Sequence, residues 1–596
     1  MASNERRYQL REAIAAVILS DSESDISNDN DSADEDYDGT IAQDSNEEDS
    51  NDSSLSESEG PPRARRRLQQ NLADEDQPAP SVTSLTGRNG RQWLLTAPPV
   101  AQTAAANVLT EREGLTTIGQ TCQRISDTFH FFLTGDMILL VVRETNRRGS
   151  KHVRDWNEDH QNEEPKRVWI PTDEVEMEAF IGLLIQAGVQ KSAKESLDEL
   201  WSSKYGKPIF RATMSRTRFQ ELLKFCRFDN IATREARLTS DKLAPIRDLW
   251  EMFQATLPKI YRPGSDITVD EQLVSSRGRC SFRQYIPSKP GKYGLKIFWA
   301  CDSTTSYPLK GEVYVGRQPG AAANANNVKD LVKRLIKPWQ NTGRNITMDN
   351  YFTSCDLATD LLAVRTTVVG TVRKNRAELP KELLPSRARE ELSSIFCFDR
   401  QLTLTSYVPK KGKAVVLLSS MHHDAAVDIG NANKPEIIIH YNKTKSGVDN
   451  LDHLVGLYTC KRKIRRWPMT MFFNIIDCAC VAAYVTWTSK NPAWNQNNTS
   501  KRRLFLRELA EALVADQMHR RHDNPQVMQA QVKLAFRAFG FQPPAVQPAV
   551  QPASGQRRCV ICPRSSDRKT KNRCSKCSNP CCQDHSKVVC DVCEDE

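Results

Sequence analysis

Four aspartates stand where acidic side chains could gather metal ions. Asp270 ends one apolar run, Ile267-Thr-Val-Asp, and Asp349 ends another, Asn345-Ile-Thr-Met-Asp. Asp449 and Asp452 are three residues apart, which puts both on one face of a helix. Oxygen donors from few protein residues suit two hard divalent cations, Mg2+ or Mn2+, held roughly 4 Å apart with open positions for phosphate oxygens. One ion would activate a water or a 3′-hydroxyl, and the other would stabilise the leaving oxygen. Without cations, carboxylates so clustered would repel one another. Strand-end aspartates also serve simply as turn or helix caps. What favours the metal reading is the order of the elements that carry these four.

A second constellation closes the chain. Cys559-x-x-Cys562, Cys574-x-x-Cys577, Cys582-x-x-His585 and Cys590-x-x-Cys593 form four two-ligand hooks. Together they supply the N and S ligands for two closed tetrahedral Zn2+ sites, leaving Cys581 as a plain thiol. The spacing leaves open which hooks share an ion, with an interleaved cross-brace preferred. Zinc would supply the folding free energy that so short a segment cannot draw from a core. Protein-binding modules share this logic, but the flanking Arg557, Arg558, Arg564, Arg568, Lys569, Lys571 and Arg573 favour DNA contact or nuclear import.

The elements that must position the aspartates read as follows. Residues 1–108 are expected to be a disordered acidic region, being poor in apolar side chains. Residues 109–264 read as helical; one helix follows Asp173, which can cap with Glu176. From 265 to 375 the pattern becomes strand, strand, strand, helix, strand, helix, strand. That order describes a mixed sheet with helices on its faces, as in ribonuclease-H-like nucleases and integrases. Its first and fourth strands can lie side by side, bringing Asp270 and Asp349 together. A β-rich insertion is expected at 376–434. The core resumes at 435–457 with a strand, Glu436-Ile-Ile-Ile-His-Tyr, and a helix from near Gly447. Helices fill 458–540, a linker rich in Pro, Gln and Ala covers 541–556, and the zinc domain covers 557–596. The fold class is therefore α/β with flanking helical and zinc-binding parts.

Charge agrees with a polyanionic partner. Sixteen acidic residues and no Lys or Arg lie between Asp21 and Gly60, yet the chain carries a net +9. The remainder is therefore strongly basic, as a nucleic-acid-binding surface requires. The most apolar stretch, Met469 to Trp487, is broken by Asn474 and Asp477. It is expected to be a buried helix in a soluble, intracellular protein without a membrane span. In such a compartment the 17 cysteines argue against a disulfide scaffold.

Several strings together make the chain resemble piggyBac-family transposases over nearly its whole ordered length. They are Ile267-Thr-Val-Asp-Glu-Gln-Leu, the run from Arg277 to Pro290, Lys292-Tyr-Gly-Leu-Lys-Ile, Arg344-Asn-Ile-Thr-Met-Asp-Asn-Tyr-Phe, Val369-Gly-Thr-Val-Arg-Lys-Asn-Arg, Tyr441-Asn-Lys-Thr-Lys-Ser-Gly-Val-Asp-Asn-Leu-Asp, and Arg465-Arg-Trp-Pro-Met. The resemblance implies that Asp270, Asp349 and Asp449 are the metal-binding catalytic aspartates and Asp452 a fourth required one. It puts Trp467 where the family stacks a tryptophan on a DNA base, and Arg373 and Arg376 at basic positions linked to target joining. Arg277, Lys292, Lys461, Arg465 and Arg466 are further expected DNA contacts. The implied activity is cut-and-paste transposition by a nuclear homodimer on double-stranded DNA. The enzyme would nick the 3′ ends, pass through a hairpin and join at TTAA targets. Helices on either side of the catalytic core would form the dimerisation and DNA-binding domain. A host-adopted DNA-binding protein without catalysis is the alternative. A protein-interaction role for the zinc module would leave the aspartates unexplained.

Overall fold

The structure is a computed structural model that describes residues 83–98, 108–109, 111–162, 164–316, 327–524, 529–541, 557–574 and 579–586. The acidic stretch before residue 83 and the linker after 541 lie outside them. The described residues fall into two compact units. One runs up to Leu200 and continues over Arg216–Gln517; the other joins Trp201–Ser215 to the residues from Met518 onward.

The first unit is built on an 11-stranded mixed sheet. Its strands are β1 (Ser84–Thr86), β2 (Gln92–Leu94), β3 (Asp266–Ser275), β4 (Gln284–Tyr285), β5 (Tyr293–Asp302), β6 (Pro308–Val313), β7 (Asn345–Met348), β8 (Thr367–Thr371), β9 (Ser394–Asp399), β10 (Leu402–Tyr407) and β11 (Val415–Ser419). They lie in the order β1-β2-β9-β10-β11-β8-β7-β3-β5-β4, with β6 also paired to β5. β7 runs parallel to both β3 and β8, and the other pairings are antiparallel. A right-handed crossover needs a helix between parallel strands, and α4 (Val328–Ile336) and α5 (Cys355–Leu362) stand at those places in the chain. The expected β-β-β-α-β-α-β order is present, with the two-residue β4 added between β3 and β5.

Helices α1 (Gly135–Asp159), α2 (Glu174–Val189) and α3 (Arg247–Ile260) lie between the β1–β2 hairpin and β3. Asp173 caps α2 as expected, accepting from the Glu176 amide at 2.9 Å. After the sheet come α6 (Glu436–Thr444), α7 (Gly447–Leu457) and α8 (Trp467–Lys490). Helix α8 is long and apolar enough to cross a bilayer, but its most apolar window is wholly buried in the protein. Its two polar interruptions are paired. The Asp477 carboxylate accepts from Thr459 Oγ1 at 2.6 Å and the Cys460 amide at 2.9 Å, and Asn474 Nδ2 donates to Gln272 Oε1 at 3.2 Å.

Two expectations need correction. Residues 436–441 form the helix α6, not a strand. Three consecutive isoleucines suggest a strand, but Pro435 fixes φ at −54° before the helix. Ile437, Ile438 and Tyr441 then make a helical stripe against Val369, Tyr407 and Leu417. The stretch 376–434 is β-rich as expected, and its strands β9, β10 and β11 continue the sheet through β8, with Val369 opposite Ser419. Order also begins before residue 109. The β1–β2 hairpin joins β9 at Phe398 opposite Leu94, with Trp93 fully buried and its Nε1 donating to Glu378 O at 3.0 Å. Its partners lie far along the chain, so local composition does not reveal it.

In the second unit, the helix Pro208–Thr213 packs on the helix Ala530–Arg537. Arg521 Nη1 donates to the carbonyls of Arg211 and Ala212, each at 2.7 Å. Near its end Arg557–Arg558 pairs with Lys569–Thr570 and frames the cysteine hooks.

Candidate active site

The site is laid out by strand register. Val269 on β3 is opposite Met348 on β7, so Asp270 and Asp349 follow side by side where the parallel pairing stops. β7 ends there, but β3 runs on to Ser275, so Asp270 lies within its strand and not at the end expected from the sequence. The β3 alternation turns Thr268, Asp270 and Gln272 to one face, where α6 and α7 lie. Thr268 Oγ1 donates to Thr444 O at 2.6 Å, and Thr347 Oγ1 and Thr444 Oγ1 are 2.7 Å apart. At the start of α7, a Cβ on Gly447 would stand 2.6 Å from Thr268 Oγ1, so only glycine lets the helix lie this close. That approach delivers Asp449 beside Asp270 and Asp349 and Asp452 one turn further along.

The carboxylates are pinned locally. Asp270 Oδ1 accepts from the Glu271 amide at 2.8 Å, and Asp349 Oδ1 from the Tyr351 amide at 2.9 Å. Thr353 donates to the Asp349 carbonyl through its Oγ1 at 2.7 Å and its amide at 3.2 Å. Asp449 is exposed, and its Oδ1 meets Lys289 Nζ at 3.2 Å. Lys289 also donates to Glu271 O at 3.3 Å.

The electrostatics are those of crowded acids. Burial, with the charges of Glu271, Asp349 and Asp449, holds the Asp270 carboxyl well above the usual carboxylate range. Burial and Glu271 push Asp349 up to about 6, although Arg373 and two backbone amides oppose them. Burial raises Asp452 against the opposing pull of Gln272 and Lys289. Burial, aided by Asp349, Asp270 and Asp449, pushes the Tyr441 phenol up to about 12. The donors are all hard oxygens, as a divalent cation of the Mg2+ type requires. The three aspartates do not close as a set to the 4.8 Å spacing that the cysteine cluster below achieves.

The expected DNA contacts divide into two groups. Trp467, half-buried, opens α8 and meets Phe282 in a T-shaped contact with centroids 5.1 Å apart. Arg277 lies over Tyr293 at 5.0 Å, Lys292 and Arg465 are exposed, and Arg373 lies over Tyr351 at 5.4 Å. Arg376 Nη2 donates to Thr353 O at 3.4 Å. Lys461 and Arg466 are spent on the fold. Lys461 donates to Ser275 O, and Arg466 donates to the carbonyls of Cys226 at 3.0 Å and Leu223 at 2.8 Å.

Sequence reasoning missed Lys289, Gln272 and Tyr441. All three lie inside the quoted strings, but nothing in their spacing says that they face the aspartates. Gln272 Oε1 accepts from Trp299 Nε1 at 3.0 Å, while its buried Nε2, outside hydrogen-bond geometry, faces Asp452.

A family model described as "Transposase IS4" matches residues 126–484, a span that carries all four aspartates. A solved structure titled as the cryo-EM structure of a piggyBac transposase synaptic complex with hairpin DNA is similar at a TM-score of 0.69 and 33% identity. The match covers 81% of this chain and 100% of that one. The chain belongs to the piggyBac-type transposase family.

Two human (Homo sapiens) piggyBac relatives are 21% identical to it over 375 residues: PiggyBac transposable element-derived protein 3 and the Chimeric ERCC6-PGBD3 protein. The match takes in 59% of this chain in both cases, and only 59% and 33% of those relatives' lengths.

This piggyBac-family chain carries a second candidate site. Cys559 and Cys562, Cys582 and His585 place one ligand atom each within 4.8 Å of all the others. The first hook thus meets the third, the interleaved arrangement preferred from the sequence. Backbone amides, that of Cys582 foremost, hold the Cys559 thiol down at about 5, as suits a metal-ligating thiolate. Cys574 is described but stands outside this cluster, and Cys577, Cys590 and Cys593 lie outside the described residues.

Proposed function

We propose that the chain is a cut-and-paste DNA transposase. It would nick the 3′ ends of its element, pass through a hairpin and join the ends at TTAA targets. The observation that carries this reading is the convergence of Asp270, Asp349 and Asp449, with Asp270 and Asp349 carrying raised pKa values. Acids held in that state gain most from a cation, and these residues would hold Mg2+ or Mn2+, two ions per site. The bound ions would supply activation of the attacking oxygen and charge neutralisation at the phosphate.

The protein's own groups orient the rest. Asp452 and Gln272 brace the α7 side of the site. Trp467 offers a face for an unstacked base. Arg373 faces Asp349, Arg376 reaches the nearby Thr353 carbonyl, and both suit target phosphates. The Cys559, Cys562, Cys582 and His585 set would bind one structural Zn2+, and Cys574, Cys577, Cys590 and Cys593 a second, in a module that reads the element's ends. The active form would be a nuclear homodimer.

The test is cleavage of labelled DNA bearing the element's own ends, with Mg2+ or Mn2+ against EDTA. Metal-dependent nicks and hairpins, lost in Asp270→Asn, Asp349→Asn and Asp449→Asn while end binding survives, are expected. End binding without cleavage by the unaltered chain would favour the domesticated, non-catalytic reading instead.

A further inference from the structure

Lys289 makes the one ion pair to the four aspartates among the described residues. It is thrust into place by a tight turn. The Ile286 amide donates to Lys292 O at 2.8 Å, the Lys289 amide to Ile286 O at 3.2 Å, and the Lys292 amide to Lys289 O at 3.0 Å. Lys292 adopts φ +47°, and a Cβ on Gly291 would lie 2.0 Å from Ser275 Oγ. The turn is thereby seated on the end of β3, and the Lys289 side chain, only 18% exposed, spans from Glu271 O to Asp449 Oδ1. A surface lysine gains little from such a pair. Here the ammonium is partly withdrawn from water and stands among the carboxylates of Asp449, Asp270, Glu271 and Asp452, where charge interactions are stronger.

Resting on the reading of the aspartates as a divalent-cation site, we propose that Lys289 is a tethered counter-cation that exchanges with metal at Asp449. While no divalent ion is bound, its ammonium neutralises Asp449. An ion that takes this carboxylate must compete with the ammonium, and the displaced Lys289 is left needing an anion. A DNA phosphate entering the site supplies that anion. Metal and DNA therefore favour each other's binding through one side chain, a coupling that works in both directions. Lys289 is a positioning residue in this scheme, restraining metal uptake until DNA is present.

The test is titration of the full chain with Mn2+, followed by calorimetry and by the electron paramagnetic resonance of free Mn2+, with and without duplex DNA. Lys289→Met should bind Mn2+ roughly tenfold more tightly than the unaltered chain in the absence of DNA, because a competing charge is gone. The tightening that DNA brings should also shrink several-fold. Lys289→Arg, which keeps the charge, should stay near the unaltered values. Lys289→Gln serves if the Met variant does not fold. Unchanged or weaker DNA-free affinity in the neutral variants, with Asp270→Asn and Asp449→Asn abolishing the same binding, would overturn the exchange alone. Binding unaffected by the aspartate substitutions would instead sink the metal reading itself.

Discussion

Val269 faces Met348 across a parallel ladder, and the next residue on each strand is an aspartate. Two acids fixed on neighbouring backbone segments, one within β3 and one just past β7, cannot move apart to relieve their repulsion. The backbone register, and not side-chain choice, sets their proximity.

The first expectation is a trade of stability against activity. In EDTA at pH 8, Asp349→Asn should be more stable than the unaltered chain by about 1–3 kcal/mol, since a carboxyl raised to about 6 is costly to ionise there. The folded pKa exceeds the unfolded value, so the cost appears as pH rises through that interval. The gain should therefore vanish near pH 4. Denaturant melts at the two pH values measure it, and equal gains at both would contradict the charge-crowding account.

Trp467 stands half in and half out of the protein, one face on Phe282. Trp467→Ala should cost only about 1–2 kcal/mol of stability, because part of the ring is already solvated. Hairpin formation on pre-nicked ends should fall at least roughly tenfold, in line with the loss of a stacked base. A variant that kept full hairpin yield would remove the base-stacking role.

His422 supplies a pH effect away from the aspartates. Burial, with the charge of neighbouring His440, holds it down at about 4, and its Nδ1 is 2.9 Å from Ser419 Oγ. The unfolded chain binds this proton more readily, so stability falls as pH drops from about 6.5 towards 4, by about 2–3 kcal/mol. His422→Asn, keeping a polar atom near Ser419, should flatten that slope. Identical slopes from urea melts at pH 7 and pH 4.5 would refute it.

The cysteine cluster predicts a local response. Strong chelation, or Cys562→Ser, should open the region around residues 557–586 to protease while the melting of the sheet unit stays put. Two zinc ions per chain by elemental analysis would support both ligand sets; a single ion would confine the metal to Cys559, Cys562, Cys582 and His585.

Much of the site could be read before the fold was known, because each piece is local. Asp270 and Asp349 follow short apolar runs, Asp449 and Asp452 share a helical spacing, and the hooks repeat a fixed interval. What escaped depends on distant partners. Ile437 and Ile438 look like strand residues until β8, β10 and β11 are there for a helix to pack on. That the strands of 394–419 continue the main sheet cannot be seen until their pairing with β8 is known. Lys289 is one lysine among many until the turn on β3 aims it at Asp449.

The β1–β2 hairpin has a practical consequence for trimming the chain. Without it, β9 would lose its pairing at Phe398 opposite Leu94 and the margin would lose the fully buried Trp93 that covers it, leaving β9 as an open edge. Long open margins invite intermolecular strand pairing. A shortened protein that begins at residue 100, after the acidic leader and the hairpin both, should therefore self-associate where one that begins at residue 80 stays dispersed.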